Sequence, residues 1–151
     1  MEILQANEHD LNEIVDIDQK MIGSDRRKEE IDQAIKEERC LIISSGNEIC
    51  GFLIYHLQFF ECCFISLIMI DPAHQRKGLA SSLLSRMTQI SPTEKLFSST
   101  NESNESMKRV FTKSGFSKSG KVDNLDEGDP EIIYFINRKG AEQHGSIERN
   151  R

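Results

Sequence analysis

Residues 68–81 read Ile68-Met69-Ile70-Asp71-Pro72-Ala73-His74-Gln75-Arg76-Lys77-Gly78-Leu79-Ala80-Ser81. An apolar run stops at Asp71-Pro72, because proline lacks a backbone donor and cannot continue a central strand. A loop with two cations and one glycine follows. Beyond it, Leu79, Leu83, Leu84, Met87 and Ile90 recur at helical spacing, which predicts a helix over about 79–90. The first turn of a helix carries unpaired N–H groups and the positive end of its dipole. A phosphate placed there accepts several of those donors at once. Gly78 lets a ligand approach the backbone, Ala80 keeps the first turn narrow, and Arg76 and Lys77 add positive charge. An ordinary strand-to-helix turn with solvated cations is the plain alternative for these residues alone.

Upstream, Glu2–Gln5 reads as a short strand, and residues 8–21 as a helix with Leu11, Ile14, Val15 and Ile17 or Asp18 on one face. Gly23-Ser24 breaks it. A second, charge-rich helix is expected over about 26–39, capped by Ser24 or Asp25, with Ile31 and Ile35 four apart. Three strands follow, at Cys40–Ser44, Ile49–Leu57 and Cys62–Ile70. The third is apolar on both faces, as suits a strand covered on both sides. Downstream, Lys95–Ser99 reads as a strand. Thr100-Asn101-Glu102 reads as the start of a helix to about Ser114, and Gly115 ends it. Phe116–Val122 and Glu131–Asn137 are the last strands, joined by an acidic loop over 123–130. Residues 139–151 form a polar tail that is expected to fray.

The 151 residues are 37% hydrophobic and 29% charged, which suits one globular α/β domain over residues 1–138 and rules out collagen-like, coiled-coil and disordered classes. The longest apolar run, Cys62–Ile70, is nine residues interrupted by Ser66, too short for a membrane helix. A formal net charge of −6 disfavours nucleic acid and mildly favours a cationic partner. Cys40, Cys50, Cys62 and Cys63 form no CxxC pair and no zinc spacing, so no metal site is expected. They read as buried small residues of a cytoplasmic protein, an expectation matched by an N-terminus without a secretory pattern. Neither GxxxxGK[ST] nor GxGxxG occurs, which argues against nucleotide hydrolysis and dinucleotide folds.

The run Gln75-Arg76-Lys77-Gly78-Leu79-Ala80 resembles the Q/R-x-x-G-x-G/A signature of the GCN5-related N-acetyltransferases (GNAT), and it follows a strand ending in hydrophobic-Asp-Pro, as in that family. Asn104, Phe111 and Gly115-Phe116 match the family's later pattern, and the element order matches over about residues 1–138. The resemblance implies a central mixed, mainly antiparallel sheet of six to seven strands with helices on both faces. It implies transfer of an acetyl or short acyl group from acetyl-coenzyme A to a primary amine by direct attack in a ternary complex. The acceptor is then a small molecule or a protein N-terminus, and a monomer or a homodimer is left open. The amides of Gln75, Arg76, Lys77, Gly78, Leu79 and Ala80 would bind the pyrophosphate. The strand end from Ile68 to Ile70 would pair with the pantetheine arm, an N–H near Ile70 would polarise the thioester carbonyl, and Asn104 would hold the arm. Asn104 and Phe111 are seven apart and share a helix face, although Asn104 also reads as a cap and Phe111 as core.

Many relatives carry a tyrosine general acid where this chain has Phe111, and Phe donates no proton. Tyr134 on the last strand is a candidate proton donor, with Ser106 and Ser114 weaker ones. Glu61 at the start of the third strand of that run is a candidate base. His56 is a further candidate through water, whereas His74, beside the loop, suits a structural or cofactor role. The acid-rich loop with Asp123, Asp126, Glu127 and Asp129 is a candidate attractor of a cationic amine, with a solvated turn around Gly128-Pro130 as the plain alternative. Phe111 at the acid position also raises a second reading, a non-catalytic acyl-CoA-binding sensor, and a third is a phosphate-binding domain of another family.

Overall fold

The apolar stretches assemble into one seven-stranded sheet in the order β1-β2-β3-β4-β5-β7-β6. The computed structural model describes residues 1–138, so the tail expected at 139–151 lies outside the described residues. In chain order the elements are β1 (Glu2–Gln5), α1 (Leu11–Ile22), α2 (Lys28–Lys36), β2 (Cys40–Ser45), β3 (Glu48–Phe59), β4 (Cys62–Ile70), α3 (Leu79–Ile90), β5 (Lys95–Asn101), α4 (Glu105–Lys113), β6 (Ser117–Val122) and β7 (Glu131–Asn137). Only β4 and β5 pair in parallel; the other neighbours are antiparallel. The expected mixed, mainly antiparallel α/β sheet with helices on both faces is therefore the one present.

Side-chain alternation along the strands divides the interior into two layers. Leu41 and Ile43 of β2 and Leu53 of β3 pack with Leu83, Leu84 and Met87 of α3 and Phe111 of α4. Cys40, Ile42, Phe52 and Ile54 point the other way, onto Ile14 and Ile17 of α1 and Ile31, Ala34 and Ile35 of α2.

β4 breaks this alternation. Ile54 of β3 lies opposite Leu67, and Tyr55 lies opposite Ile65, so Ser66 is an extra residue in the ladder. Its Oγ donates to the Ile54 carbonyl at 3.3 Å. Before the bulge, Cys63 and Ile65 face α3 and α4; after it, Ile68 and Ile70 do, and Leu67 and Met69 face α1 and α2. One inserted residue thus reverses the two faces of the strand, as a one-residue slip must.

Gly51 of β3 sits opposite Ile70. A Cβ built there would meet Ile70 Cδ1 at 2.6 Å and the Met69 carbonyl oxygen at 2.8 Å. Gly51→Ala is therefore expected to push the end of β4 outward and cost about 1–3 kcal/mol, read as a lower denaturant midpoint at unchanged m.

Three expected boundaries differ. α2 covers only Lys28–Lys36 and is followed by Glu38 at φ 61. Residues 8–10 form a 3-10 turn ahead of α1, capped by Asn7 in a reciprocal box with Asp10. Thr100 and Asn101 do not start α4: they pair with Ile132 and Glu131 as the end of β5, and the helix begins at Glu105. The Asn101 amide serves the acidic loop instead, donating to Asp126 Oδ2 at 2.9 Å and to the Asp129 carbonyl at 3.2 Å.

Candidate active site

The loop between β4 and α3 is held at both ends. Asp71 ends β4, and its N–H donates to the Cys50 carbonyl at 2.8 Å. Its side chain accepts from the Ala73 N–H at 3.0 Å and from Lys20 Nζ of α1 at 3.1 Å. The Ala73 N–H and, after it, the Lys20 ammonium hold this carboxyl below the usual carboxylate range. Gln75 Nε2 donates to the Ile70 carbonyl at 3.2 Å and folds the loop back onto the strand end.

Between these anchors the backbone enters the left-handed region twice, at Arg76 (φ 66) and Gly78 (φ 77). Gly78 is the N-cap of α3, and no side chain of the described residues caps that terminus. The first-turn N–H groups of α3 thus lack the usual Ser, Thr or Asp acceptor. A Cβ added at Gly78 would meet nothing within 4 Å, so the space in front of the helix end is open. Uncapped donors, a helix dipole and open space are the physical requirements of an anion site.

That site opens into a cleft of about 900 Å³. Its shape follows from a failure of pairing. β4 and β5 pair only at Cys63 with Leu96, Phe64 with Phe97, and Ile65 with Ser98. Beyond Ile65 the strands separate, at the residue where the Ser66 bulge bends β4. Ser98 Oγ donates to the Ile65 carbonyl at 2.9 Å and closes the apex of the split. Residues 66–70 and 99–101 then flank a gap in the sheet.

The gap joins its two faces. On the α3 and α4 face, Ile68, Ile70, Thr100, Asn104, Met107 and Val110 line the cleft together with the loop. On the α1 and α2 face it is lined by Met21, Ile22, Arg27, Met69, Ser99 and Glu131. The cleft is thus lined from both faces of the sheet at the split between β4 and β5.

Of the residues expected at the site, Ile68, Ile70, Gln75, Arg76, Gly78, Leu79, Ala80 and Asn104 line this one cleft, as do His74 and the weaker donor candidate Ser106. Lys77 is exposed within the same loop but does not line it. Asn104 is also the N-cap of α4, its Oδ1 accepting from the Met107 N–H at 3.0 Å, so both readings of that residue meet in one side chain.

Phe111 and Glu61 are not brought to the cleft. Phe111 is fully buried, stacked on Tyr134 with ring centroids 4.6 Å apart and touching Phe116 at 5.4 Å. It is core, because α4 turns Met107 and Val110 toward the gap and Phe111 under the helix. Glu61 occupies the β3–β4 turn at φ 65, exposed, and about 13 Å of strand separates it from Ile65. Tyr134 does not line the cleft either, but its hydroxyl is buried beside Phe111 with no hydrogen-bond partner among the described residues. Burial pushes its pKa up, so it keeps its proton at neutral pH.

His74 is half-buried at the loop, with Nε2 3.9 Å from Glu48 and Nδ1 buried without a partner among the described residues. His56 stacks on Phe64 at 5.5 Å, outside the cleft. Burial pushes the Cys40 thiol up to about 12 and the Cys63 thiol to about 11, so neither is a thiolate nucleophile near neutrality. Among the described residues no three His, Cys, Asp or Glu side chains converge to hold a metal, and no helix is long and apolar enough to cross a membrane.

Three polar residues of the cleft carried no weight in the sequence. Ser99 Oγ donates to Glu131 Oε2 at 2.7 Å, which puts a fixed carboxylate on the α1 and α2 face. Arg27 faces the same space with its guanidinium tied to Asp18. The available signal was Asp18 itself, an acid on the apolar stripe of α1, where only a paired charge is tolerated.

Solved structures that share this architecture include GNAT-family acetyltransferases. A crystal structure of a GNAT-family acetyltransferase from Bacillus cereus ATCC 10987 is 53% identical over 90% of this chain and 96% of that one, with a TM-score of 0.88. The Salmonella typhimurium protein yncA, solved with its cofactor acetyl-CoA, is 16% identical over 98% of both chains, with a TM-score of 0.77. A ribosomal-protein-alanine N-acetyltransferase from Brucella melitensis is 12% identical over 91% of this chain and 99% of that one, with a TM-score of 0.75. The last two likenesses concern the fold alone. No curated protein sequence matches the chain significantly. The model of the acetyltransferase (GNAT) family matches residues 9–116, spanning the loop, the split strands and α4, and on that match and the identity to the Bacillus cereus enzyme this chain belongs to the GNAT family of acetyltransferases.

Proposed function

We propose that the protein transfers an acetyl group from acetyl-CoA to a primary amine by direct attack within a ternary complex. The observation that carries this reading is the uncapped start of α3, preceded by two left-handed residues and opening onto a gap between β4 and β5. Acetyl-CoA supplies an activated thioester. The N–H groups of residues 76–81 would hold its diphosphate, as a helix N-terminus holds any phosphate. The unpaired edge of β4 over 66–70 would take the pantetheine arm as an added strand. A main-chain N–H near Ile70 would stabilise the oxyanion of the tetrahedral intermediate.

An amine enters from the α1 and α2 face, where Glu131 can take its proton; an alkylammonium has a pKa of about 10.4 and must lose a proton to attack. The proton for the leaving thiolate is assigned to Tyr134, which stacks on the phenylalanine found where many relatives have a tyrosine acid. Rearrangement of α4 over Met107 and Val110 would expose its hydroxyl to the gap. Tyr134→Phe is expected to lower kcat about 100-fold and to leave the melting temperature unchanged or slightly higher, since it removes an unpartnered buried hydroxyl. Unchanged kcat with a higher melting temperature would remove Tyr134 from the reaction.

Free cysteines at positions 40, 50, 62 and 63 suit a reducing compartment, and we place the reaction in the cytoplasm. The test of the reading is thiol release from acetyl-CoA measured against a panel of primary amines. Release above the hydrolysis rate with at least one amine is expected. Saturable acetyl-CoA binding without release for any amine favours the non-catalytic sensor.

A further inference from the structure

The face of the cleft opposite the loop carries a second charged feature. Arg27 follows the turn between α1 and α2 and lines the cleft beside Met21 and Ile22. Its Nη2 donates to Asp18 Oδ1 at 2.7 Å and its Nε donates to Asp18 Oδ2 at 3.1 Å. Asp18 is 1% exposed and sits on the buried stripe of α1 with Ile14, Val15 and Ile17. The bidentate contact fixes the plane of the guanidinium. It uses two of the group's five N–H donors, and no described residue accepts from the Nη1 edge. An arginine whose only task were to neutralise Asp18 would not need to line the wall of the substrate cleft.

Across the gap lies Glu131, held by the Ser99 hydroxyl. This face of the cleft thus carries the Glu131 carboxylate and the Arg27 guanidinium, together with Met21, Ile22 and Met69. A simple alkylamine uses the first and leaves the second unpaired. A molecule with both an amine and a carboxylate uses both.

We propose that the acetyl acceptor is a small amino acid, whose carboxylate is bound by the free edge of Arg27 while its amine faces Glu131 and the gap. Asp18 acts as a positioning residue through Arg27. The inference deepens the acetyl-transfer reading and rests on it. Planar, bidentate recognition of a carboxylate is the task for which arginine is chemically suited and lysine is not. A site built to bond a group rejects analogues that lack it, because its own donors are left unpaired.

The test compares the proteinogenic amino acids with the amines formed by removing their carboxyl groups, pair by pair, as acceptors from acetyl-CoA. For the pairs that react, kcat/KM is expected to favour the amino acid at least about tenfold. Arg27→Lys keeps a cation for Asp18 but lacks the planar edge. It is expected to erase the preference, chiefly through KM for the amino acid, while acetyl-CoA affinity stays at the wild-type value. Asp18→Asn combined with Arg27→Gln removes both charges together and should give the same loss.

Equal or better use of the decarboxylated amines by the wild type would overturn the Arg27 contact and leave acetyl transfer standing. A preference that survives Arg27→Lys would overturn it as well. Where no amine reacts, calorimetry on the enzyme saturated with coenzyme A makes the same comparison. Binding of amino acids but not of the matching amines supports the contact and sinks the transfer reading; binding of neither sinks both.

Discussion

Gly78→Asp is expected to raise the dissociation constant for acetyl-CoA about 100-fold, equivalent to roughly 2.7 kcal/mol, while the protein stays folded. Two effects combine. Gly78 has φ 77, so any side chain there adopts a left-handed backbone that costs about 1–2 kcal/mol. Its Cβ position meets no other atom of the described residues within 4 Å, so the new side chain enters the open space in front of α3. An aspartate there sets a negative charge against a diphosphate at the uncapped end of α3. Gly78→Ala separates the effects: it carries the backbone cost without the charge and should weaken binding by less than about tenfold. If the two variants bind acetyl-CoA equally and as tightly as wild type, the anion does not sit at this helix end.

Phe111→Ala is expected to cost about 3–5 kcal/mol of folding stability, the largest effect of any single substitution considered for this chain. Phe111 is fully buried and makes two aromatic contacts, with Tyr134 at 4.6 Å and Phe116 at 5.4 Å. Removing the ring opens a cavity between α4 and β7 and leaves Tyr134 without its stacking partner. Phe111→Tyr tests whether this position can host a general acid. Its hydroxyl would enter a packed interior beside an existing unpartnered phenol, at a cost of about 1–3 kcal/mol if it stays unbonded. Lower stability with no gain in kcat is expected. A gain in kcat would show that a phenol at 111 reaches the thiolate and would displace Tyr134 from that role. Urea titration of Phe111→Ala measures the first effect, and single-turnover kinetics of Phe111→Tyr the second.

Much of this molecule can be read from its sequence because local signals agree with tertiary demands. β4 and α3 fall where the Cys62–Ile70 run and the Leu79–Ile90 stripe put them. The loop between β4 and α3 is legible because its features are contiguous: a strand end, a glycine and a helix start lie within a dozen residues. The reversal of faces at Ser66 is hidden because β4 is apolar on both sides, so alternation carries no register information. Its one trace is the serine itself, the only polar residue of the run. Thr100 and Asn101 look like a helix start, but pairing with β7 outbids their capping tendency.

The α1 and α2 face of the cleft is the least legible part. Arg27, Ser99 and Glu131 come from three separate segments and meet only when the sheet forms. Glu61 attracts attention as an acid beside the central strand, yet it lies at the end of β4 remote from the split. Position along a strand decides whether a carboxylate reaches the chemistry, and that position depends on where β4 and β5 part. No periodicity in either strand encodes it.

The most direct test of the account is a crystal structure of the protein bound to acetyl-CoA. Diphosphate oxygens are expected within hydrogen-bonding distance of main-chain N–H groups of residues 76–81, with the pantetheine arm lying along residues 66–70 in the gap. A diphosphate bound elsewhere on the surface, with the gap between β4 and β5 left to side chains, would contradict it.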